Sequence, residues 1–132
     1  MKSNKLQSIF LVLGALFIIH GLEEYATGFY HIDWSYRLTF GGLSDVSSVF
    51  LLYQFSLWIL LLLTFILLKR GKRIIWLLMI WGIGSVLELQ HVYASLMSQS
   101  YYPGLITSLL FPIVGFFFWK ELLKNRRTIN KL

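Results

Sequence analysis

Cysteine is absent from the chain. No disulfide can form, no thiolate can hold a metal, and the redox compartment leaves no mark on the composition. Charge is scarce too. Asp, Glu, Lys and Arg make up 14% of the 132 residues against 57% hydrophobic, with a mean hydropathy of +0.68. A soluble domain of this size has too little interior to hide that much apolar side chain, which leaves lipid as its solvent. Also missing are a nucleophilic-serine motif, a phosphate-binding loop, a nucleotide fingerprint, a low-complexity stretch and a linker. The length allows one domain, residues 1–132.

In place of these the sequence has long apolar runs. Length and flanking residues mark four helices, at about 5–25, 47–68, 74–98 and 103–123, with an outer loop over 28–46. The expected fold is all-α, a polytopic membrane protein built as a four-transmembrane-helix bundle. The first run resembles a signal peptide in length. The region after it, His20-Gly21-Leu22-Glu23-Glu24-Tyr25, is bulky and acidic where cleavage needs small neutral residues, so it reads as a retained helix. Pro103 suits the start of the fourth helix, and Pro112 is expected to kink it.

Basic residues set the orientation. Eleven of the twelve lie in the N-terminal tail, in the turn at 69–73 or from Lys120 onward, and only Arg37 is in the first loop. Positive-inside bias puts both termini and the middle turn in the cytoplasm, as an N-in/C-in multi-pass protein of the inner (plasma) membrane. The net charge of +6 then holds topology and touches anionic lipid; nucleic acid is not needed as a partner. In the outer loop Tyr30, Ile32, Trp34, Tyr36, Leu38 and Phe40 alternate with other residues. Period two predicts an extended segment lying in the interface or over the bundle mouth.

Five ionisable side chains fall where lipid is expected: His20, Glu23 and Glu24 on the first helix, Glu88 and His91 on the third. Each needs a partner, a cavity or an end position near water. Residues three or four apart share a helix face, so the two groups are each compact. Counted outward from Lys5 and from Arg73, His20 is level with Glu88 and Glu23 with His91, roughly 22–27 Å along each helix. Gly84, Ser85, Glu88, His91 and Ser95 form a small and polar stripe on the third helix, of the kind that lets helices approach and hydrogen-bond. The first and third helices are therefore expected to be neighbours. Glu-x-x-His on a helix, joined by carboxylates from its neighbours, is also how bundle carboxylate di-metal sites are built, although the first helix carries the reverse order, His-x-x-Glu.

The string His20-Gly21-Leu22-Glu23-Glu24, at the outer end of a first membrane helix, resembles the motif that names the HXXEE family of small bacterial membrane proteins. The stretch from His91 to Leu110, with Tyr102-Pro103-Gly104-Leu105-Ile106-Thr107, is similar to that family's third-helix histidine and Pro-Gly-Leu-x-Thr helix start. Family members often have asparagine shortly before that histidine, where this chain has Leu87, Glu88 and Gln90. The resemblance implies no established reaction; it marks His20, Glu23, Glu24 and His91 as motif positions.

The residues favour a membrane-embedded metal site, probed by a lipid-like or small amphiphilic substrate from the side. His20, Glu24, Glu88 and His91 are the candidate ligands for a divalent transition metal (zinc, iron or manganese), and Glu23 and Glu24 the candidate catalytic carboxylates. Gln54, Thr107, Ser108 and Trp34 are the candidates for substrate contact. Two other readings stay open. One is a proton-coupled transporter or binding protein, a homo-oligomer because four helices enclose little space, with a proton shared between Glu23 and Glu24. The other is an accessory subunit whose His–Glu network only sets helix register.

Overall fold

A computed structural model describes residues 4–40, 45–72 and 74–129, and all of their side chains but those of 34, 35, 40 and 126–129. Every regular element among the described residues is a helix, with no strand: α1 Asn4–Ala26, α2 Phe29–Ile32, α3 Trp34–Phe40, α4 Val46–Lys69, α5 Ile75–Leu87, α6 Leu89–Ser98, α7 Leu105–Ser108 and α8 Phe111–Ile129. Three of the helices are long and apolar enough to cross a membrane: Asn4–Ala26, Val46–Lys69, and α5 with α6 as Ile75–Ser98.

On α1 the buried residues are Leu6, Phe10, Leu13 and Leu16, then His20, Gly21 and Glu24. Steps of three and four residues put them on one face, so a single stripe changes from apolar to polar along its length. The apolar half is the core, joined by Leu61 and Leu68 of α4, Leu77, Leu78 and Trp81 of α5, and Phe111, Phe118 and Leu122 of α8. Most remaining apolar side chains, such as Leu11, Leu52, Ile59, Leu62, Ile113 and Phe116, are exposed, the pattern expected of helices whose solvent is hydrocarbon. Two indole links cross this core: Trp81 donates to Thr64 Oγ1 and Trp119 to the Gly82 carbonyl, each at 3.1 Å.

The backbone order corrects one expectation. α1 packs chiefly on α4 and α8, and α5 packs on α8, so α1 and α5 face each other diagonally instead of lying side by side. They meet through side chains, with Phe17 edge-on to Trp81 at 5.4 Å between ring centroids. Gly84 and Ser85 of the small-residue stripe serve two partners: Gly84 faces Phe17, and the Ser85 hydroxyl packs on Gly115 of α8.

Three segments differ from their sequence reading. The third long helix bends at Glu88, where His91 N–H reaches the Glu88 carbonyl at 3.3 Å in a tightened turn. The run expected as one helix over 103–123 is divided at Leu109–Leu110. Pro112 has no N–H to continue the ladder from α7, but sits at no cost in the first turn of α8. The alternating loop is not extended. It folds into α2 and α3 over one end of the bundle, because a lone strand cannot satisfy its own backbone whereas short helices can. Asp33 between them accepts from Tyr36 N–H at 3.2 Å.

Candidate metal centre

The polar half of the α1 stripe meets the α5–α6 bend at the end of the bundle that α2 and α3 cover. His20 Nε2 lies 3.0 Å from Glu88 Oε2 and 3.7 Å from Glu24 Oε1. His91 Nε2 lies 3.3 Å from each of the same two oxygens. Four atoms, alternately imidazole nitrogen and carboxylate oxygen, thus surround one point. His91 is fully buried, His20 and Glu24 nearly so, and Glu88 retains 19% side-chain exposure.

The protons of both rings can be assigned from their other nitrogens. His91 Nδ1 is 2.6 Å from the carbonyl of Pro103, which can only accept, so Nδ1 carries the hydrogen. His20 Nδ1 is 2.7 Å from Thr107 Oγ1. That hydroxyl donates its one proton to Glu23 Oε2 at 2.6 Å, so it too must accept from the ring. With Nδ1 carrying the hydrogen, a ring in its neutral form turns an Nε2 lone pair inward, toward the carboxylate oxygens. In that form four acceptors would face one another without a donor and repel. The arrangement calls for a cation at the centre or for protons added to its members.

The spacing suits a metal. Nitrogen and oxygen ligands at 2.0–2.2 Å from a tetrahedral ion lie about 3.3–3.5 Å apart; the four neighbouring N···O separations here are 3.0, 3.3, 3.3 and 3.7 Å, and both His91 contacts fall in that range. His20, Glu24 and His91 could hold an ion among them, with one ligand atom of each within 4.8 Å of the others. The outer contacts have the form expected around a metal, each ring held through its second nitrogen. Gln54 Nε2 donates to Glu24 Oε2 at 2.9 Å, leaving Oε1 for the centre. Gln54 reaches across α1 because Gly21 leaves room; a Cβ there would come within 2.6 Å of Gln54 Oε1.

Gly104 is a second close approach at the polar end. Its φ is +85°, and a Cβ on it would lie 2.7 Å from His20 Cε1 and 2.9 Å from His91 Nδ1. A residue with no side chain lets the turn into α7 press against both rings at once. Above it the Tyr102 hydroxyl donates to Asp33 at 3.4 Å. Burial first, then the Asp33 charge, pushes this phenol up to about 12, so it remains a donor at neutral pH.

The family model described as a protein of unknown function with HXXEE motif matches residues 11–118. The chain belongs to the HXXEE family. Neither a curated protein nor a solved structure shows significant similarity to it. In this HXXEE protein the histidine and the second glutamate of the motif, His20 and Glu24, enter the four-atom cluster. The first, Glu23, turns the other way. It accepts from the N–H groups of Ile106 and Thr107 at 3.0 and 2.9 Å, from Thr107 Oγ1, and from the Tyr101 hydroxyl at 2.7 Å.

The level register expected for His20 and Glu88 is present, but His91 faces Glu24 and not Glu23. Depth along a helix cannot separate two adjacent residues; their directions differ by about 100° around the axis. Of the other candidates, Gln54 stands beside Glu24. Thr107 braces His20 and Glu23, and Ser108 is fully buried with no partner for its hydroxyl; neither is on the wall of the adjoining cavity. The side chain of Trp34 lies outside the described residues, as does Arg73. The Pro103 carbonyl and Gly104 were not singled out from the residues as parts of the site. Their signal was present in the Pro-Gly-Leu-x-Thr string, which supplies the carbonyl for His91, the gap for both rings and the hydroxyl for His20.

Proposed function

We propose that this HXXEE protein holds a divalent transition metal between His20, Glu24, Glu88 and His91 and uses it on an amphiphile of the bilayer. The observation that carries this reading is the set of four inward acceptors, two of them Nε2 lone pairs directed there by hydrogen bonds at Nδ1. The donor set suits zinc, iron or manganese alike. Such an ion, when bound, polarises a carbonyl or lowers the pKa of a water. Glu88, the most exposed of the four, lines the cavity that adjoins the site, with Glu24 and His20 beside it.

The same reading takes the chain as a single membrane domain of four spans, α7 with α8 supplying the fourth. Lys5, Lys69, Lys72, Lys120 and Lys124 stand at one end and the His/Glu site at the other, which favours N-in/C-in topology and a site in the outer leaflet. Topology reporters at Gly71 and the C-terminus should read cytoplasmic, and one at Gly42 external. An external C-terminus would overturn the four-span count.

The metal is tested on detergent-purified protein by elemental analysis and melting with and without a chelator. About one ion per chain is expected, and its removal should lower the melting temperature. A ligand at a hundredfold over its Kd adds about 2.7 kcal/mol to the folded state. Glu88→Gln, which keeps the shape, should lose the ion. The rival reading follows from the same four acceptors: two protons in place of the ion also satisfy them, giving a proton-handling site. Metal-free protein that melts identically with and without chelator decides for protons.

A further inference from the structure

α4 and α5 follow one another through a short turn, yet they do not zip together. The Trp81–Thr64 hydrogen bond ties them at the core end. Beyond it each leans on a different neighbour, α4 on α1 and α5 on α8, and a cavity of about 620 Å³ occupies the wedge between them. That volume is in the range of specific ligand pockets. On α4 its wall runs from Phe50 to Leu61, about 16 Å of helix.

The wedge is graded. Its deep part is apolar, with Phe17, Leu57, Leu61 and Trp81. Its other end reaches His20, Glu24, Gln54 and Glu88 under Asp33, Tyr36 and Tyr53. Along its open side Ile80, Ile83 and Leu87 of α5 and Leu60 of α4 are exposed, at a depth where both helices are spanning segments. The opening therefore faces hydrocarbon, while α2 and α3 cover the polar end. A ligand fitting this gradient has one apolar chain pointing toward the bilayer centre and a polar head at the His/Glu site.

The sign of the head follows from the wall. Its ionisable residues are Glu24, Asp33, Glu88 and His20, along with two tyrosines; no lysine or arginine lines it among the described residues. Even a divalent ion at the centre offsets only the two glutamates, so a carboxylate or phosphate head meets no surplus positive charge. A hydroxyl or amine head meets acceptors.

We infer that the wedge between α4 and α5 binds a single-chain amphiphile with a non-anionic head, a long-chain alcohol or amine, taken up sideways from the bilayer. This deepens the proposed reading of the site, from which it takes only that the head faces the metal. The test uses full-length protein in phosphatidylcholine nanodiscs with diazirine-bearing hexadecanol, hexadecylamine, hexadecanoic acid and hexadecyl phosphate. Crosslinked peptides are mapped by mass spectrometry and metal is measured on the same samples.

The alcohol and amine should label the segments around Leu57–Leu61 and Ile80–Leu87, and the acid and phosphate roughly tenfold less. Ile83→Trp, a bulky change at an exposed wall position, should abolish that labelling and leave both the metal content and the labelling of Ile113–Phe117 unchanged. Leu87→Trp is the second variant should the first fail to fold. Equal labelling by all four probes, insensitive to both variants, reduces the wedge to ordinary lipid contact and overturns the inference. Preferential labelling by the acid or phosphate overturns the head assignment. The expected pattern in metal-free protein upholds the wedge and removes the metal; bound metal without wedge labelling does the reverse.

Discussion

The two ends of the bundle are held by different physics. At the basic end Leu6, Phe10, Leu13, Leu68, Leu78 and Phe118 pack without direction, and one branched side chain substitutes for another at modest cost. At the covered end the polar contacts each have a direction: His91 to Pro103, His20 to Thr107, Thr107 to Glu23, Gln54 to Glu24. Partners there are not interchangeable, since removing one strands another in a dry setting. The comparison teaches that the apolar end supplies adhesion, while the polar end decides which helix faces meet.

The sharpest way to break it is a methyl group. Gly104→Ala should destabilise by about 3 kcal/mol or more, because strain at positive φ adds to a clash with both imidazoles, and it should eject any bound metal. Gly14→Ala, whose Cβ meets only Leu61 at 3.8 Å, is the control and should melt near wild type. Thermal melting and metal content of the pair check this; equal behaviour would dissolve the contrast.

Next in size come truncations of one buried residue at each end. Leu13→Ala should cost about 2–3 kcal/mol by opening a cavity and leave metal binding intact. His91→Ala should cost about 1–3 kcal/mol by stranding its partners and abolish metal binding. Isothermal titration with zinc separates them, and a Leu13→Ala protein unable to bind metal would show the ends to be coupled.

Glu23→Gln sharpens the polar end itself. The amide still accepts from α7 but no longer takes the Thr107 proton as firmly, so His20 is held less well in its Nδ1–H form. Metal affinity should fall about 10–100-fold, the range for outer partners of a ligand, whereas Glu24→Gln should lose it outright. Equal losses at both positions would contradict the division of labour between the two glutamates.

The smallest effect is expected at Asp45, the N-cap of α4, which accepts from Ser48 N–H at 3.1 Å and Ser47 Oγ at 2.7 Å. The Ser48 and then the Ser47 hydrogen bonds hold this exposed carboxyl below its ordinary range. A depressed folded value gives stability that is present above the unfolded pKa and lost as pH falls through the folded one. Asp45→Asn should therefore melt slightly lower than wild type at neutral pH and converge with it in acid, with metal content unchanged. A gap that widens on acidification would reverse the sign.

Much of this was legible in one dimension. The three spans follow from apolar length, and the convergence of His20 with Glu88 from equal depths along two parallel helices. These are local quantities, and membrane helices translate them directly because their backbone bonds close within each segment. Three things required the tertiary structure. Glu23 turns out of the cluster that Glu24 joins, and which of two adjacent residues faces inward depends on rotation of α1 against its neighbours. The loop is helical, because a period of two says nothing about whether a strand partner exists. Gly104 and the Pro103 carbonyl belong to the site, because a contact across the bundle depends on how closely one backbone approaches another, and no spacing within a single helix encodes that distance.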